Sequence, residues 1–436
     1  MSPGEVDVSR TVLQRLVGIA RATTLGLLAL FAGIDGPGGR ASADEDKPLN
    51  VAGLTTVYYH NAHADMFLSR MLNGYSLDGK GEFPRLKLSS LFIEQFPAND
   101  IGRKLATAHR VPLYRTAREA LTAGGDKLAV DGVFLIAEHG QYPESNTGQF
   151  VFPKRPLFAQ VAAVCEQSRR AVPVFLDKHL ADNWTDAKWI YDEARRLKMP
   201  LMAGSSLPVL WRYPPRDVER ERSLRDILVL SYHRLDSYGI HALEIAQALA
   251  ERRPGGETGV KRVRTLKDDA VWRAIDDGQL DRKLLDLALA QAKDRPIRKD
   301  KKLTELVKHP HLFVIEYRDG LRAYVLTLDD LYIDWTAAWR YADGQSDAAV
   351  FWTQEARPFM HFTHLMRQLE PFFRTGQPPW PVERTLLTTG MLDALLISNR
   401  DGGRLVETPQ LAIEYKSAWN WRQPPPPPPD RPINDQ

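Results

Sequence analysis

The sequence predicts an α/β part with a doubly wound parallel sheet, followed by an α+β part with an open, mostly antiparallel sheet. Between residues 49 and 207, short apolar runs alternate with amphipathic segments of helical length, which is typical of βαβ units. In residues 208–416 this alternation ends, and β-branched and aromatic runs precede long helical segments. The 436 residues are 43% hydrophobic and 26% charged, which suits a globular chain of about two domains.

Five apolar runs of strand length, separated by helical patterns, define the first part. The predicted strands are 49–57, 86–94, 132–137, 172–176 and 200–203, and the predicted helices are 62–73, 99–108, a segment from 156, and 182–198. Ligands of doubly wound sheets bind beyond the carboxyl ends of the strands. We therefore expect the site to be built from 58–65, 94–95, 138–142, 177–179 and 204–206.

The second part has fewer helical patterns between its apolar runs. The predicted strands are 227–232, 311–317, 321–328 and 348–352, the predicted helices are 239–251, 358–374 and 381–399, and 252–303 is a charged stretch. Strands grouped in this way favour an antiparallel sheet faced by helices. The uncovered face of such a sheet is a surface on which a second copy could pack, so a homo-oligomer through this sheet is one expectation.

The two ends of the chain do not fit a packed core. Residues 1–43 contain a basic segment, a short apolar run and small residues ending at Ala43, which is the order of a secretory signal peptide. We expect export to the periplasm or the cell exterior after cleavage near Ala43; an amphipathic or disordered extension is the alternative. The apolar run is too short for a permanent membrane span. Residues 417–436 include six consecutive prolines and predict a solvated, disordered tail.

Charge and cysteine content exclude further classes. The chain has 58 basic and 55 acidic residues, a formal net charge of +3, and no basic stripe along one helix, so a nucleic-acid partner is not expected. The single cysteine, Cys165, cannot form an internal disulfide.

Three segments, in the same order and spacing, resemble one known family. Residues 130–136 (VDGVFLI) resemble its fourth strand, and 172–180 (VPVFLDKHL) resemble its fifth strand running into a Glu-Lys-Pro-Leu motif. Residues 237–244 (SYGIHALE) resemble its Asp-x-Gly-x-His-x-x-Asp segment. With the order of elements over 49–416, the chain resembles the glucose-fructose oxidoreductase and inositol dehydrogenase (Gfo/Idh/MocA) family. This implies a Rossmann-like first domain, NAD or NADP as cofactor, and oxidation of a carbohydrate or polyol hydroxyl.

The dinucleotide fingerprint of that family is absent. Its three glycines fall on Thr55, Val57 and His60, and side chains there obstruct the tight turn and the backbone approach to a pyrophosphate. The resemblance places a set of residues around the cofactor position. These cofactor-binding candidates are Thr55, Val57, His60, His63, Glu94, Glu138 and His139.

The resemblance also nominates catalytic residues. Lys178 matches the lysine that contacts substrate and tunes proton transfer, and His241 matches the usual proton acceptor from the substrate hydroxyl. Asp177 and His179 flank Lys178 and complete the candidates. Ser237 stands where the family has the aspartate that orients the histidine. A surface Lys-Asp pair and a structural histidine at a helix start are the alternatives.

Imidazoles and carboxylates are concentrated at three predicted strand ends. The group consists of His60, His63, Asp65, Glu138, His139, Asp177 and His179. Such side chains can bind a metal. No pair among them has strong metal-motif spacing, so a metal is not predicted. The competing interpretation is that these residues form hydrogen bonds and fill the cofactor groove. A non-redox lyase, epimerase or hydrolase, or a non-catalytic sugar-binding protein, is therefore kept as the alternative function.

Further aromatic and basic candidates, for which packing is the alternative, are Tyr142, Trp184, Trp211 and Arg212.

Overall fold

The computed structural model describes residues 47–291, 301–329, 331, 334–354 and 356–427. The predicted leader, with cleavage near Ala43, lies outside the described residues, as does the end of the proline-rich tail from residue 428. In the part of the chain that is described, no helix is both long enough and apolar enough to cross a membrane.

The first part is a six-stranded parallel sheet, which confirms the predicted fold class. Its strands are β1 (Leu49–Thr55), β2 (Leu86–Ile93), β3 (Leu113–Tyr114), β4 (Gly132–Ile136), β5 (Val174–Asp177) and β6 (Leu201–Gly204). Their order in the sheet is β3-β2-β1-β4-β5-β6, the order of doubly wound dinucleotide-binding domains. One row of paired residues runs across five strands: Phe92, Leu54, Leu135, Leu176 and Ala203.

Helices cover both faces of this sheet, because successive buried strand residues point to opposite sides. The helices before β6 are α1 (His63–Asn73), α2 (Gly102–Ala108), α3 (Ala117–Thr122), α4 (Lys154–Ser168) and α5 (Trp184–Arg196). Helices α3, α4 and α5 pack on one face, and α1 packs on the other. Side-chain caps define the N-termini of two of these helices: Thr116 and Glu119 form a capping box on α3, and Asn183 caps α5.

The second part contains a mixed, mostly antiparallel sheet of eight strands, as predicted. Its strands are β7 (Trp211–Tyr213), β8 (Leu224–Ser231), β9 (Val260–Lys267), β10 (His311–Tyr317), β11 (Arg322–Thr327), β12 (Trp335–Tyr341), β13 (Ser346–Trp352) and β14 (Val406–Glu407). Their order is β14-β9-β10-β11-β8-β12-β13-β7; among the described strands of this sheet, only β8 and β11 pair in parallel. The sequence did not predict β7, β9 or β12. Strand β9 lies within the charged stretch, where Lys261 and Arg262 lie between the buried Val260 and Val263.

Both faces of the second sheet are covered, contrary to the uncovered face expected from the sequence. The remaining helices are α6 (Gly239–Ala250), α7 (Asp269–Asp276), α8 (Arg282–Leu289), α9 (Leu303–Leu306), α10 (Met360–Thr375) and α11 (Glu383–Arg400). Helices α6 and α11 pack on one face. Helices α7 and α8 bury Val271, Leu284 and Leu285 against Leu228 and Leu230 on the other. The surface proposed for a second copy is thus occupied by the chain itself.

Helix α10 joins the two parts, because it packs on the α1 face of the first sheet. Phe373 of α10 stacks on Phe134 with ring centroids 4.7 Å apart. A Cβ at Gly132 would lie 2.3 Å from the Phe373 ring, so glycine is what allows this close approach. The boundary at 207/208 stays a prediction, and α10 shows that packing crosses it.

The chain after residue 416 differs from the predicted solvated tail as far as Pro427. The indole nitrogen of Trp211 donates to the Pro425 carbonyl at 2.8 Å, and that of Trp421 donates to the Leu210 carbonyl at 2.7 Å. Arg220 donates to the carbonyl of Trp419 at 2.7 Å. This segment therefore packs along β7, where its aromatic residues find both apolar surface and hydrogen-bond partners.

Candidate functional site

A cavity of about 500 Å³ lies where the carboxyl ends of β4 and β5 and the start of α1 face the second sheet. The first part contributes His63, Glu138, His139 and Lys178 to its walls, and the second part contributes Tyr238, His241 and Trp335, among others. A concave site that combines aromatic walls with a few convergent polar groups is typical of small-molecule binding.

A buried carboxylate between two lysines forms the floor of the cavity. Glu138 is 3% exposed; its Oε1 lies 2.6 Å from Lys154 Nζ and its Oε2 lies 3.1 Å from Lys178 Nζ. Lys154 Nζ also donates to the carbonyls of Asp177 at 3.2 Å and His179 at 2.9 Å. Lys154 therefore ties the ends of β4 and β5 together.

The charges of this floor determine which of its groups are ionised. Burial by itself would raise the pKa of Glu138, but the ammonium groups of Lys154 and Lys178 outweigh burial and hold that pKa well below its ordinary value. Burial would likewise lower the pKa of Lys178, but the carboxylates of Glu138 and Asp177 raise it. Lys178 is thus held as a cation facing the cavity. In this state it can stabilise negative charge on a ligand oxygen, whereas it is a poor proton donor near neutral pH.

Two residues of the cavity wall have left-handed backbone conformations. The φ angle is 56° at Lys178 and 65° at His139, a region that side chains other than glycine seldom adopt. A β-bridge between Lys178 and Gly204 holds the first of these. Such conformations persist where the surrounding structure fixes them, and they are enriched at functional sites.

His63 and Asp177 form a hydrogen-bonded pair at the edge of the cavity. His63 is the first residue of α1, and its Nδ1 lies 2.6 Å from Asp177 Oδ2 at the end of β5. The side chain of Asp177 is 3% exposed and that of His63 is 14% exposed. The His63 ring meets the rings of His139 and Phe362 edge to face, at centroid distances of 5.2 and 5.1 Å.

His241 also lines the cavity, and its ring is bonded to a serine hydroxyl rather than to a carboxylate. Its Nδ1 lies 2.6 Å from Ser205 Oγ, and Trp335 stands 5.7 Å away. Burial, reinforced by the charge of Lys178, holds the pKa of His241 well below its ordinary value. Ser237 donates instead to Asp236 at 3.1 Å. The orienting role that the resemblance gives to an aspartate is thus taken by a serine from the end of β6.

The structure separates several predicted residues from the cavity. The side chain of His60 is 62% exposed and lies 3.9 Å from Asp65. His179 is 6% exposed, and its Nδ1 is buried without a hydrogen-bond partner in the described part of the chain; burial holds its pKa well below the ordinary value. His139 does line the cavity, where burial lowers its pKa to about 3. The seven-residue group predicted from the sequence is therefore only partly brought together.

The fingerprint positions are filled by side chains. Thr55 Oγ1 donates to the carbonyls of Val57 and Ile136, both at 3.0 Å, and both Thr55 and Val57 are buried. At the N-terminus of α1, the Asp65 carboxylate accepts from the Asn61 backbone at 2.9 Å and from Arg357 at 2.7 Å. A carboxylate of the protein itself therefore occupies the helix end that would otherwise attract a phosphate.

The crevice above β1 is bridged by neighbouring loops. Tyr142, after β4, donates to the carboxylate of Glu94, after β2. Gln95 and Gln141 exchange hydrogen bonds of 2.9 and 3.3 Å. Because β1 lies between β2 and β4 in the sheet, these bonds cross the end of β1, where a dinucleotide binds in this type of sheet.

Metal ligation finds no support in the described ranges, where no group of three or more His, Cys, Asp or Glu residues is arranged to hold an ion.

The further aromatic candidates serve packing. Trp211 is buried beneath the segment after residue 416, and Trp184 packs between the two parts. Arg212 is buried in an ion pair with Asp217.

Sequence reasoning missed several residues that shape the cavity. Lys154 begins α4, some distance after its strand, and no motif marks it. Trp335 belongs to the unpredicted β12, and Phe362 and His361 come from α10. The run of aromatic and histidine residues at 359–364 was a signal that could have drawn attention to α10.

Comparison with known proteins supports the fold. No family model and no curated protein matches the chain. GenD2 from gentamicin A biosynthesis, solved in complex with NAD, is 16% identical, covers 85% of this chain and 99% of its own, and gives a TM-score of 0.54. Apo scyllo-inositol dehydrogenase from Lactobacillus casei is 9% identical, with coverage of 83% and 98% and a TM-score of 0.50. At these identities the likeness establishes the fold alone: the chain has the two-part fold seen in these dehydrogenases.

Proposed function

We propose that this protein is an enzyme of the oxidoreductase kind that acts on a hydroxyl group of a carbohydrate or polyol bound in the central cavity. The observation that carries the proposal is the position of Lys178. It lies at the end of β5, as in the family motif, and its ammonium group faces a cavity that also contains His241. The fold relatives GenD2 and scyllo-inositol dehydrogenase support the same kind of reaction.

The walls of the cavity suit a polyhydroxylated ligand. Tyr238 and Trp335 stack nearly parallel, with an interplanar angle of 12°, and Phe362 adds a third aromatic surface. Aromatic faces pack against the C–H faces of sugars, while a few polar groups fix orientation. Lys178 would stabilise the negative charge that develops on a ligand oxygen as its proton leaves.

A nicotinamide dinucleotide, which the fold implies, does not fit the crevice above β1 in its usual pose. The Glu94–Tyr142 bond crosses the crevice, and Asp65 with Arg357 occupies the helix end. We therefore assign no hydride-transfer step to these residues. NAD or NADP stays a proposed cofactor to be tested directly, in whatever pose it binds.

The test combines cofactor binding with turnover. Native mass spectrometry of the purified protein and fluorescence titration with NADH and NADPH to millimolar concentration would detect a cofactor. A panel including myo-inositol, scyllo-inositol and D-glucose would detect oxidation, and Lys178→Gln should abolish it while Lys87→Gln, on the exposed side of β2, should not. Absence of both cofactor binding and turnover of every compound would overturn the oxidoreductase proposal and favour the non-redox or sugar-binding alternative.

A further inference from the structure

Of the histidines that line the cavity, His63 and His241 come from different parts of the chain and have different hydrogen-bond partners. His63 projects from α1 and is bonded to Asp177 at 2.6 Å. His241 projects from α6 and is bonded to the hydroxyl of Ser205 at the same distance. A proton acceptor must become an imidazolium during the reaction, so the group beside it decides how stable that cation is.

His241 is poorly placed to carry a proton. A serine hydroxyl stabilises an imidazolium much less than an ionised carboxylate does. The aromatic rings of Tyr238 and Trp335 lie at centroid distances of 6.4 and 5.7 Å from its ring, and the site is buried. The nearby ammonium of Lys178 further opposes a positive charge on His241.

The surroundings of His63 are more favourable. An ionised carboxylate only accepts hydrogen bonds, so the bond to Asp177 places the ring proton on Nδ1 and leaves Nε2 as the basic nitrogen. Other charged or titratable groups near His63 include Glu138, His139, His241, His361 and Lys178, and the cavity wall adds the phenols of Tyr59, Tyr232 and Tyr238. Of these, only Glu138 is an anion, and it is already paired with two lysines. Asp177 is therefore the group that can compensate a positive charge on His63.

We propose that His63, oriented by Asp177, is the proton acceptor for the ligand hydroxyl, in place of His241. This inference rests on the proposed function. In the step, the ligand O–H bond breaks, an Nε2–H bond forms on His63, and the electron pair stays on the ligand oxygen. The resulting alkoxide lies in the same cavity as the Lys178 ammonium, and the imidazolium is paired with Asp177.

The first test does not depend on any substrate. Nitrogen-15 chemical shifts of the labelled, full-length protein at pH 8 report which ring nitrogen carries the proton. We expect the Nδ1–H form at His63. Asp177→Asn should change it to the Nε2–H form, because the new amide can donate to Nδ1. A matched control is the solvent-exposed pair His309 and Asp268, 3.2 Å apart, whose signals Asp177→Asn should leave unchanged. An Nε2–H form at His63 in the unaltered protein would overturn the proposal, whatever the outcome of the turnover assays.

The second test uses the compound from the panel that is turned over fastest. Loss of a general base lowers the rate by about 10²- to 10⁴-fold, so His63→Gln should lower kcat by that factor with a much smaller change in KM. His309→Gln should leave kcat unchanged. A fall of less than about threefold for His63→Gln, or a larger fall for His241→Gln, would assign the proton transfer to another group and overturn the inference, while leaving the proposed function intact.

Discussion

Replacing Lys154 by methionine should destabilise the protein strongly. The side chain of Lys154 is 1% exposed, and its ammonium group makes three polar contacts: to Glu138 Oε1 at 2.6 Å and to the carbonyls of Asp177 and His179 at 3.2 and 2.9 Å. Methionine fills a similar volume but satisfies none of these groups. The substitution leaves Glu138 buried with one cationic partner instead of two.

The expected magnitude follows from these contacts. Breaking a buried ion pair by removing one partner costs about 3–5 kcal/mol, because the other charge stays buried. The two carbonyls lose charge-assisted hydrogen bonds worth roughly 1.5–3 kcal/mol each. The ion pair and these two hydrogen bonds all involve the same ammonium group, so their energies do not add. Lys178 Nζ lies 3.1 Å from Glu138 Oε2, so it still compensates part of the buried negative charge of Glu138. We therefore expect a loss of about 3–5 kcal/mol in the free energy of unfolding.

Urea denaturation followed by tryptophan fluorescence at pH 7 measures this loss. The control is Lys188→Met, which removes an exposed pair with Asp192 on α5 and should cost less than about 1 kcal/mol. If Lys154→Met were as stable as Lys188→Met, the floor of the cavity would not depend on this lysine and our reasoning about Glu138 would be wrong.

Three other predictions concern pH, assembly and processing. His361 and His364 are buried, and burial lowers their pKa values to about 3 and about 4. Below about pH 6.5 the unfolded chain therefore binds protons on these two histidines that the folded protein does not bind. Urea denaturation should show stability falling from pH 6.5 towards pH 4, less steeply in His364→Phe, and a flat profile would contradict this. Because α7 and α8 cover the second sheet, light scattering after gel filtration should give the mass of one chain, and a dimer would show that another surface associates. If the leader is a signal peptide, intact mass spectrometry of protein from its native host should give an N-terminus near Asp44, and a retained leader would refute export.

Most elements of the first part could be predicted because they depend on local patterns; the two-residue strand β3 and the short helix α3 were not predicted. Buried parallel strands are continuously apolar, as in the fully buried β4, and the helices between them are amphipathic. Strands β9 and β12 escaped prediction for different reasons. Outward-facing lysines and arginines hide the apolar residues of β9, whereas β12 has buried residues on both faces and lacks the alternation of a half-buried strand.

The site was predicted where it depends on strand ends and missed where it depends on distant partners. Glu138 lies two residues after β4 and Lys178 directly follows β5, so a parallel sheet brings them together. His60 lies three residues before His63, yet it faces solvent, because the conformation of the loop before α1 decides where its side chain points. Arg357 reaches Asp65 across 292 positions, and no local pattern reveals such a contact.

The sequence by itself determined the doubly wound sheet, the strand-end position of Lys178 and the loss of the fingerprint glycines, because these are properties of residue type and short-range spacing. Only the tertiary structure decided that Lys154 shares the Glu138 carboxylate, that Asp177 pairs with His63, and that neighbouring loops bridge the crevice above β1. The physical reason is that a buried polar group must find a partner, and packing alone determines which distant residue comes within hydrogen-bonding distance.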